Sequence, residues 1–120
     1  MRKIETQMNA AISANRNWSS GNTSVQFDSD SGVSRVYLHG NHIATVSEDS
    51  VQLFDGGWQS VTTKSRLNAI CDEHAITGEG VFQKNYKWFV RQFDDAKREF
   101  VTVPFYSGLN LGESALALAA

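Results

Sequence analysis

The chain contains one cysteine, Cys71, and one proline, Pro104. A lone cysteine cannot close an internal disulfide, so the fold has to be held by packing alone, and the expected setting is a reducing cytoplasm. With proline almost absent, little interrupts strands or helices, and glycine and serine are left to mark the turns. No apolar run approaches the roughly 20 residues that cross a bilayer, so no membrane partner is expected. Met1-Arg2-Lys3-Ile4-Glu5 carries cations with no apolar stretch behind them, which is not the pattern of a secretory signal. Neither sign of charge dominates: 11 Lys and Arg stand against 13 Asp and Glu, a net charge of −2. A chain so balanced exerts no long-range pull on nucleic acid, and any contact with DNA or RNA needs a local basic patch. Residues 1–60 hold four cations and six anions, whereas residues 61–120 hold seven of each. The second half is therefore the better place to seek an anionic partner.

Catalytic signatures are missing as well. There is no Gly-x-x-x-x-Gly-Lys-Ser/Thr loop, no Gly-x-Ser-x-Gly elbow and no His-Glu-x-x-His helix. His39 and His42 flank a Gly-Asn turn, but two histidines fall short of the three or four ligands a metal site needs. Cys71 and His74 lie one helical turn apart, yet both sit on an apolar stripe and no third group orients them. Asp28-x-Asp30-x-Gly32 lacks the remaining acidic ligands of a calcium loop and reads as a turn. No cofactor and no metal are implied, and an enzyme is not expected.

What remains is a soluble globular composition, 41% hydrophobic and 20% charged, over 120 residues, which is one domain by length. Ile4, Met8, Ala11 and Ile12 recur at helical spacing and predict a helix over residues 2–15, within an N-terminal segment 1–16. Asn15, Asn17, Ser19, Ser20, Gly21 and Asn22 break it. Residues 24–54 then read as a meander of four short strands, at 24–27, 33–38, 42–46 and 51–54, which favours antiparallel pairing. A second helix is predicted from residue 63 to about 74, within a segment 62–76, with Thr62 as its N-cap and Leu67, Ile70, Cys71 and His74 as its buried stripe. Strands follow at 81–83, 87–93 and 98–103, within a segment 81–104, the last two joined by a hairpin loop Asp94-Asp95-Ala96-Lys97. The tail 109–120 is read as a short helix or a frayed end. Together these describe an α+β fold, a mostly antiparallel sheet of about six to seven short strands with two helices on one face.

Two stretches are candidate contact sites. At Asp55-Gly56-Gly57-Trp58 a strand ends in a glycine turn with an exposed aromatic, and a helix opens with Thr62, Thr63, Lys64, Ser65 and Arg66. Free amides, the helix dipole, hydroxyls and two cations suit an anion or a partner there; a capped surface helix with solvated cations has the same pattern. In Lys84-Asn85-Tyr86-Lys87-Trp88-Phe89-Val90-Arg91, cations are interleaved with rings, as in proteins that grip single strands. Alternation puts Lys87, Phe89 and Arg91 on one face and Trp88 and Val90 on the other; a strand with a core tryptophan and solvated cations fits equally. The end, Leu116-Ala117-Leu118-Ala119-Ala120, is similar to the bacterial tag read by an AAA+ unfoldase, and a frayed Ala-rich end is the other reading.

Three segments carry a family resemblance: Val36-Tyr37-Leu38-His39-Gly40-Asn41-His42-Ile43-Ala44; Gly56-Gly57-Trp58 through Thr62-Thr63-Lys64-Ser65-Arg66-Leu67-Asn68; and Val81-Phe82-Gln83-Lys84-Asn85 with Trp88. Together they resemble small proteins of tailed bacteriophages and prophages, over roughly residues 33–91, the middle segment being the most specific. The resemblance implies a phage origin and a host cytoplasm, and no activity. The expectation is a small non-catalytic binding module that contacts a host or phage protein. The alternative is a single-stranded nucleic-acid binder using Lys64, Arg66, Lys84, Lys87 and Arg91 with Trp58 for stacking. An exposed edge strand would also allow a homodimer.

Overall fold

The computed structural model describes residues 1–112. Helix α1 (Lys3–Ser13) leads into β1 (Trp18–Ser20), β2 (Thr23–Asp28), β3 (Val33–Leu38), β4 (Asn41–Val46) and β5 (Ser50–Leu53). Helix α2 (Val61–His74) follows, then β6 (Gly80–Lys84), β7 (Lys87–Asp94), β8 (Glu99–Pro104) and β9 (Leu109–Gly112). The α+β class and the antiparallel meander are as the sequence pattern predicts. The strands divide into a six-stranded sheet, in the order β1-β2-β3-β4-β5-β9, and a three-stranded sheet, β6-β7-β8, with every pair antiparallel.

The large sheet is built around one apolar row. Trp18, Val25, Val36, Ala44, Leu53 and Leu109 are successive cross-strand partners. A second row joins Ser34, Val46, Val51 and Leu111. Because side chains alternate along a strand, these rows share a face. Helix α1 packs against β1 and β2, and α2 against β4 and β5, so that Met8, Ile12, Leu67 and Ile70 join the same core. A bulge between Val36 and Tyr37 sets two consecutive residues of β4, Ile43 and Ala44, inward.

Two short strands lie outside the expected set. In place of an unstructured break, β1 pairs with β2, and the Asn17 side chain accepts from the Phe27 amide. The start of the tail, residues 109–112, forms β9 instead of a helix, because Leu109 and Leu111 alternate into the core when paired with Leu53 and Val51. The degradation-tag reading of Leu116 to Ala120 lies outside the described residues.

The polar centre is an ion pair. Arg66 of α2, 4% exposed, meets Glu5 of α1, 3% exposed, at 2.8 Å. The same guanidinium donates to Thr23 Oγ1 at 3.0 Å and to Asn22 Oδ1 at 3.3 Å, and Ser65 donates to Glu5 at 2.7 Å. Burial by itself raises the Glu5 pKa. The hydrogen bonds from Ser65, Arg66 and the Arg2 amide, with the Arg66 charge, outweigh it and hold the carboxyl below its ordinary value.

The small sheet hangs on α2 by side chains that imitate a strand. Asn68 donates to the Val81 carbonyl at 2.9 Å and accepts from its amide at 2.8 Å. Gly80 leaves room for this, since a Cβ there would lie 2.8 Å from Asn68 Oδ1. The buried Glu79 carboxylate accepts from the amides of Ile76 and Phe93.

Removing one partner of the buried ion pair strands the other charge, so Arg66→Ala and Glu5→Gln are each expected to cost about 3–5 kcal/mol in urea unfolding. A loss under about 1 kcal/mol, as for a surface pair, would show that the pair is open to water. A carboxyl with a depressed folded pKa stabilises the fold above its unfolded value, about 4.3, and that contribution is lost as pH falls through the folded value. The urea midpoint of the wild type is therefore expected to fall more steeply below about pH 4 than that of Glu5→Gln.

Candidate functional site

The strand-to-helix corner is built by a glycine turn. Gly56 and Gly57 both have positive φ, +69° and +88°, and the Gly57 amide donates to the Asp55 side chain at 2.8 Å. A Cβ on Gly56 would lie 3.1 Å from Asn41 Cβ and 3.2 Å from Ile43 Cγ2, so glycine also lets the turn lie close against β4. Ser60, in extended conformation, is the N-cap of α2: its side chain accepts from the Thr63 amide at 3.0 Å. The helix thus starts two residues earlier than expected, and the cap is Ser60, not Thr62. Ser60, Thr62 and Thr63 can all cap; the turn places Ser60 where its oxygen reaches the third helical amide. Thr63 is buried, with its hydroxyl donating to the Trp58 carbonyl.

The residues predicted for this corner part company. Trp58 and Thr62 line a groove of about 440 Å³ with Leu38, Asn41, Ile43 and Gly56. Trp58 is 74% exposed, and Val61, which sequence reasoning did not single out, is 71% exposed. Lys64 is partly exposed. Arg66 is not at the surface, because Glu5 and the residues opening β2 hold it inside. Nothing local in the sequence marks this, since its carboxylate lies 61 positions away. The expected anion site therefore loses a cation to the core and an amide to Ser60.

Lys84, Lys87 and Arg91 belong to a different surface. Lys84 pairs with Lys87 across the β6–β7 hairpin, and Lys87 and Arg91 share the outer face of β7. Trp88 and Val90 are buried on the inner face, with Trp88 edge-on to Phe105 at 5.3 Å. This alternation is the one read from the sequence. Arg91 lies over the Phe100 ring, 4.3 Å from its centroid.

The remaining candidates are the histidines, Cys71 and the Asp28 turn, and of these His39 lines the Trp58 groove. His42 Nε2 is 2.8 Å from Thr45 Oγ1, and its ring packs on Phe54 at 4.4 Å. Burial lowers its pKa, with the Arg35 charge acting in the same direction against a hydrogen bond to the Ala44 backbone. His39 is exposed in a turn. Among the described residues, no group of three or more His, Cys, Asp and Glu side chains is placed to hold a metal. The Asp28 carboxylate accepts from the Asp30 and Ser31 amides and pairs with Arg35, which makes this segment a turn. Burial pushes the Cys71 thiol up to about 12, with Glu79 and Asp72 adding to the shift. His74 Nε2 has no hydrogen-bond partner among the described residues, and burial lowers the imidazole pKa. No helix among the described residues is long and apolar enough to cross a membrane.

Cys71 is accordingly expected to resist iodoacetamide in the native protein near pH 8 and to react on addition of denaturant; rapid native alkylation would contradict its burial. Ser60→Ala is expected to cost about 1 kcal/mol in thermal or urea unfolding, and Thr62→Ala no more than about 0.5 kcal/mol; the reverse order would make Thr62 the cap.

No curated protein and no solved structure matches the chain. The model of a bacteriophage protein family does match, over residues 1–112, covering both sheets, both helices and the two surfaces described above. The chain belongs to that family, the Kyanoviridae Gp96 protein family.

Proposed function

We propose that this phage protein is a small non-catalytic binding module that contacts a host or phage protein through the Trp58 corner, in the host cytoplasm. The observation that carries the reading is the exposure of Trp58 and Val61 on either side of the helix start, beside a groove lined by Leu38 and Ile43. Exposed tryptophan is costly to leave in water and is enriched among the few residues that dominate protein interfaces. The corner's polar groups are largely engaged: Ser60 caps the helix, Thr63 is buried and Arg66 is ion-paired. What it offers a partner is apolar area with a polar rim, the make-up of an interface centre.

The non-catalytic reading rests on the chemistry of the reactive side chains. Cys71 is held as a thiol by burial, and His42 is occupied with Thr45. A nucleophile needs a lowered pKa or an adjacent base.

The test is affinity capture from infected cells, followed by titration of the purified partner against wild type and Trp58→Ala. Loss of an interface anchor is expected to weaken binding by about 2 kcal/mol or more, roughly thirtyfold, with the thermal midpoint unchanged. Equal affinity of the two proteins would remove the corner from the interface.

A further inference from the structure

We infer that the outer face of the β6–β7–β8 sheet is a binding platform for single-stranded nucleic acid, on a surface separate from the Trp58 corner and independent of that reading. Four observations converge on it.

The first is charge. From Gly80 to Phe93 the chain has no acidic residue, and its three cations, Lys84, Lys87 and Arg91, are all exposed. Lys84 and Lys87 are direct cross-strand partners, an arrangement that by itself destabilises a hairpin. The ion pairs among the described residues are Arg35–Asp28, Arg66–Glu5 and Arg98–Asp95, none of which involves these three. In a chain of net charge −2, an acid-free cationic strip calls for an anion from outside.

The second is the aromatic surface. Phe82 and Phe89 face each other across the strands with centroids 5.7 Å apart and planes inclined by 25°. Phe82 is 36% exposed although it lies in a strand whose other face packs in the core. Flat rings beside cations are what a base and its phosphate require, because every base has a face to stack and stacking tolerates any sequence.

The third is backbone conformation. The β6–β7 hairpin turns through Asn85 and Tyr86 with φ of +52° and +64°, both in the left-handed region. A two-residue turn of this kind normally carries Asn-Gly. Asparagine tolerates the first position; tyrosine at the second is strained, and glycine would relieve it. Packing does not hold Tyr86 there, since it is 94% exposed. A strained, fully exposed ring at the end of a cationic strip fits a ligand contact, and packing supplies no other reason for it.

The fourth is position. Strand rise separates Lys87 from Arg91 by about 13 Å, so cations and rings extend in a line that suits a chain of phosphates better than a compact anion. An acidic peptide would satisfy the lysines but would leave the exposed Tyr86 ring without a planar partner.

The experiment is fluorescence anisotropy with labelled oligothymidine and oligouridine of about 20 nucleotides, with a DNA duplex and oligoglutamate as competitors, between about 50 and 200 mM salt. The wild type is expected to bind the single strands, with log affinity falling by about two per decade of salt if three phosphates are engaged. Lys87→Glu with Arg91→Glu is expected to weaken binding at least about tenfold and flatten that slope. Tyr86→Gly is expected to raise the thermal midpoint while weakening binding about fivefold or more, a combination that a purely structural tyrosine does not give. Absence of single-strand binding at the lowest salt would overturn the inference, as would displacement by oligoglutamate as effective as by unlabelled oligothymidine. Preference for the duplex, or a Tyr86→Gly variant that is stabilised with unchanged affinity, would likewise overturn it. Preference between the two oligonucleotides identifies DNA or RNA as the source, and either result supports the platform.

Discussion

The structure depends on one buried ion pair. Arg66 reaches Glu5 on the other helix and Thr23 and Asn22 at the opening of the second strand, so a single guanidinium fixes three elements relative to one another. Only arginine could do this. Its planar fork directs several donors at fixed angles, whereas lysine would present one compact charge. Such a pair contributes less net stability than apolar burial of the same volume, because two charges must leave water. What it secures is orientation: the helices cannot slide on the sheet without exposing a charge to the core. That constraint also shapes the surface, since the cation held inside is withdrawn from the helix start above it, and the Trp58 corner is left mainly apolar.

The second sheet is attached by a related device. A sheet edge carries unpaired amides and carbonyls, and one buried against a helix has to find partners for them. Asn68 supplies both a donor and an acceptor to Val81, and Glu79 takes two amides from the segments beside it. Val81, Trp88 and Val90 then join the common core. With the inner face committed to packing, the outer face holds the cations and the rings. The fold therefore keeps its two candidate surfaces chemically distinct, an apolar corner on α2 and a basic aromatic strip on β6 and β7. That separation suits the two different contacts proposed for these surfaces.

Much of this was legible in the sequence. The helical spacing of Met8, Ala11 and Ile12, the period-two runs of the meander and the turn chemistry at Asp28, Gly40 and Asp94 are local signals, each complete within a few residues. So is the alternation that sends Trp88 inward and Lys87 and Arg91 outward. Glycines 56 and 57 likewise announced a corner before a helix. Phe82 was legible by the same rule, since it neighbours the buried Val81, and its exposure follows from alternation once the strand is recognised.

Tertiary structure alone decided the rest. A three-residue strand at Trp18 and a four-residue strand at Leu109 have too little pattern to read; they exist because Val25 and Leu53 offer them a row to join. Three hydroxyls could have capped the second helix, and the turn before it selected Ser60. Arg66 has the sequence context of a surface cation. Its burial was settled by a carboxylate on the first helix, a partner visible only once the chain has folded back on itself. Local periodicity is encoded where it acts, whereas the fate of a charge depends on whatever long-range packing brings beside it.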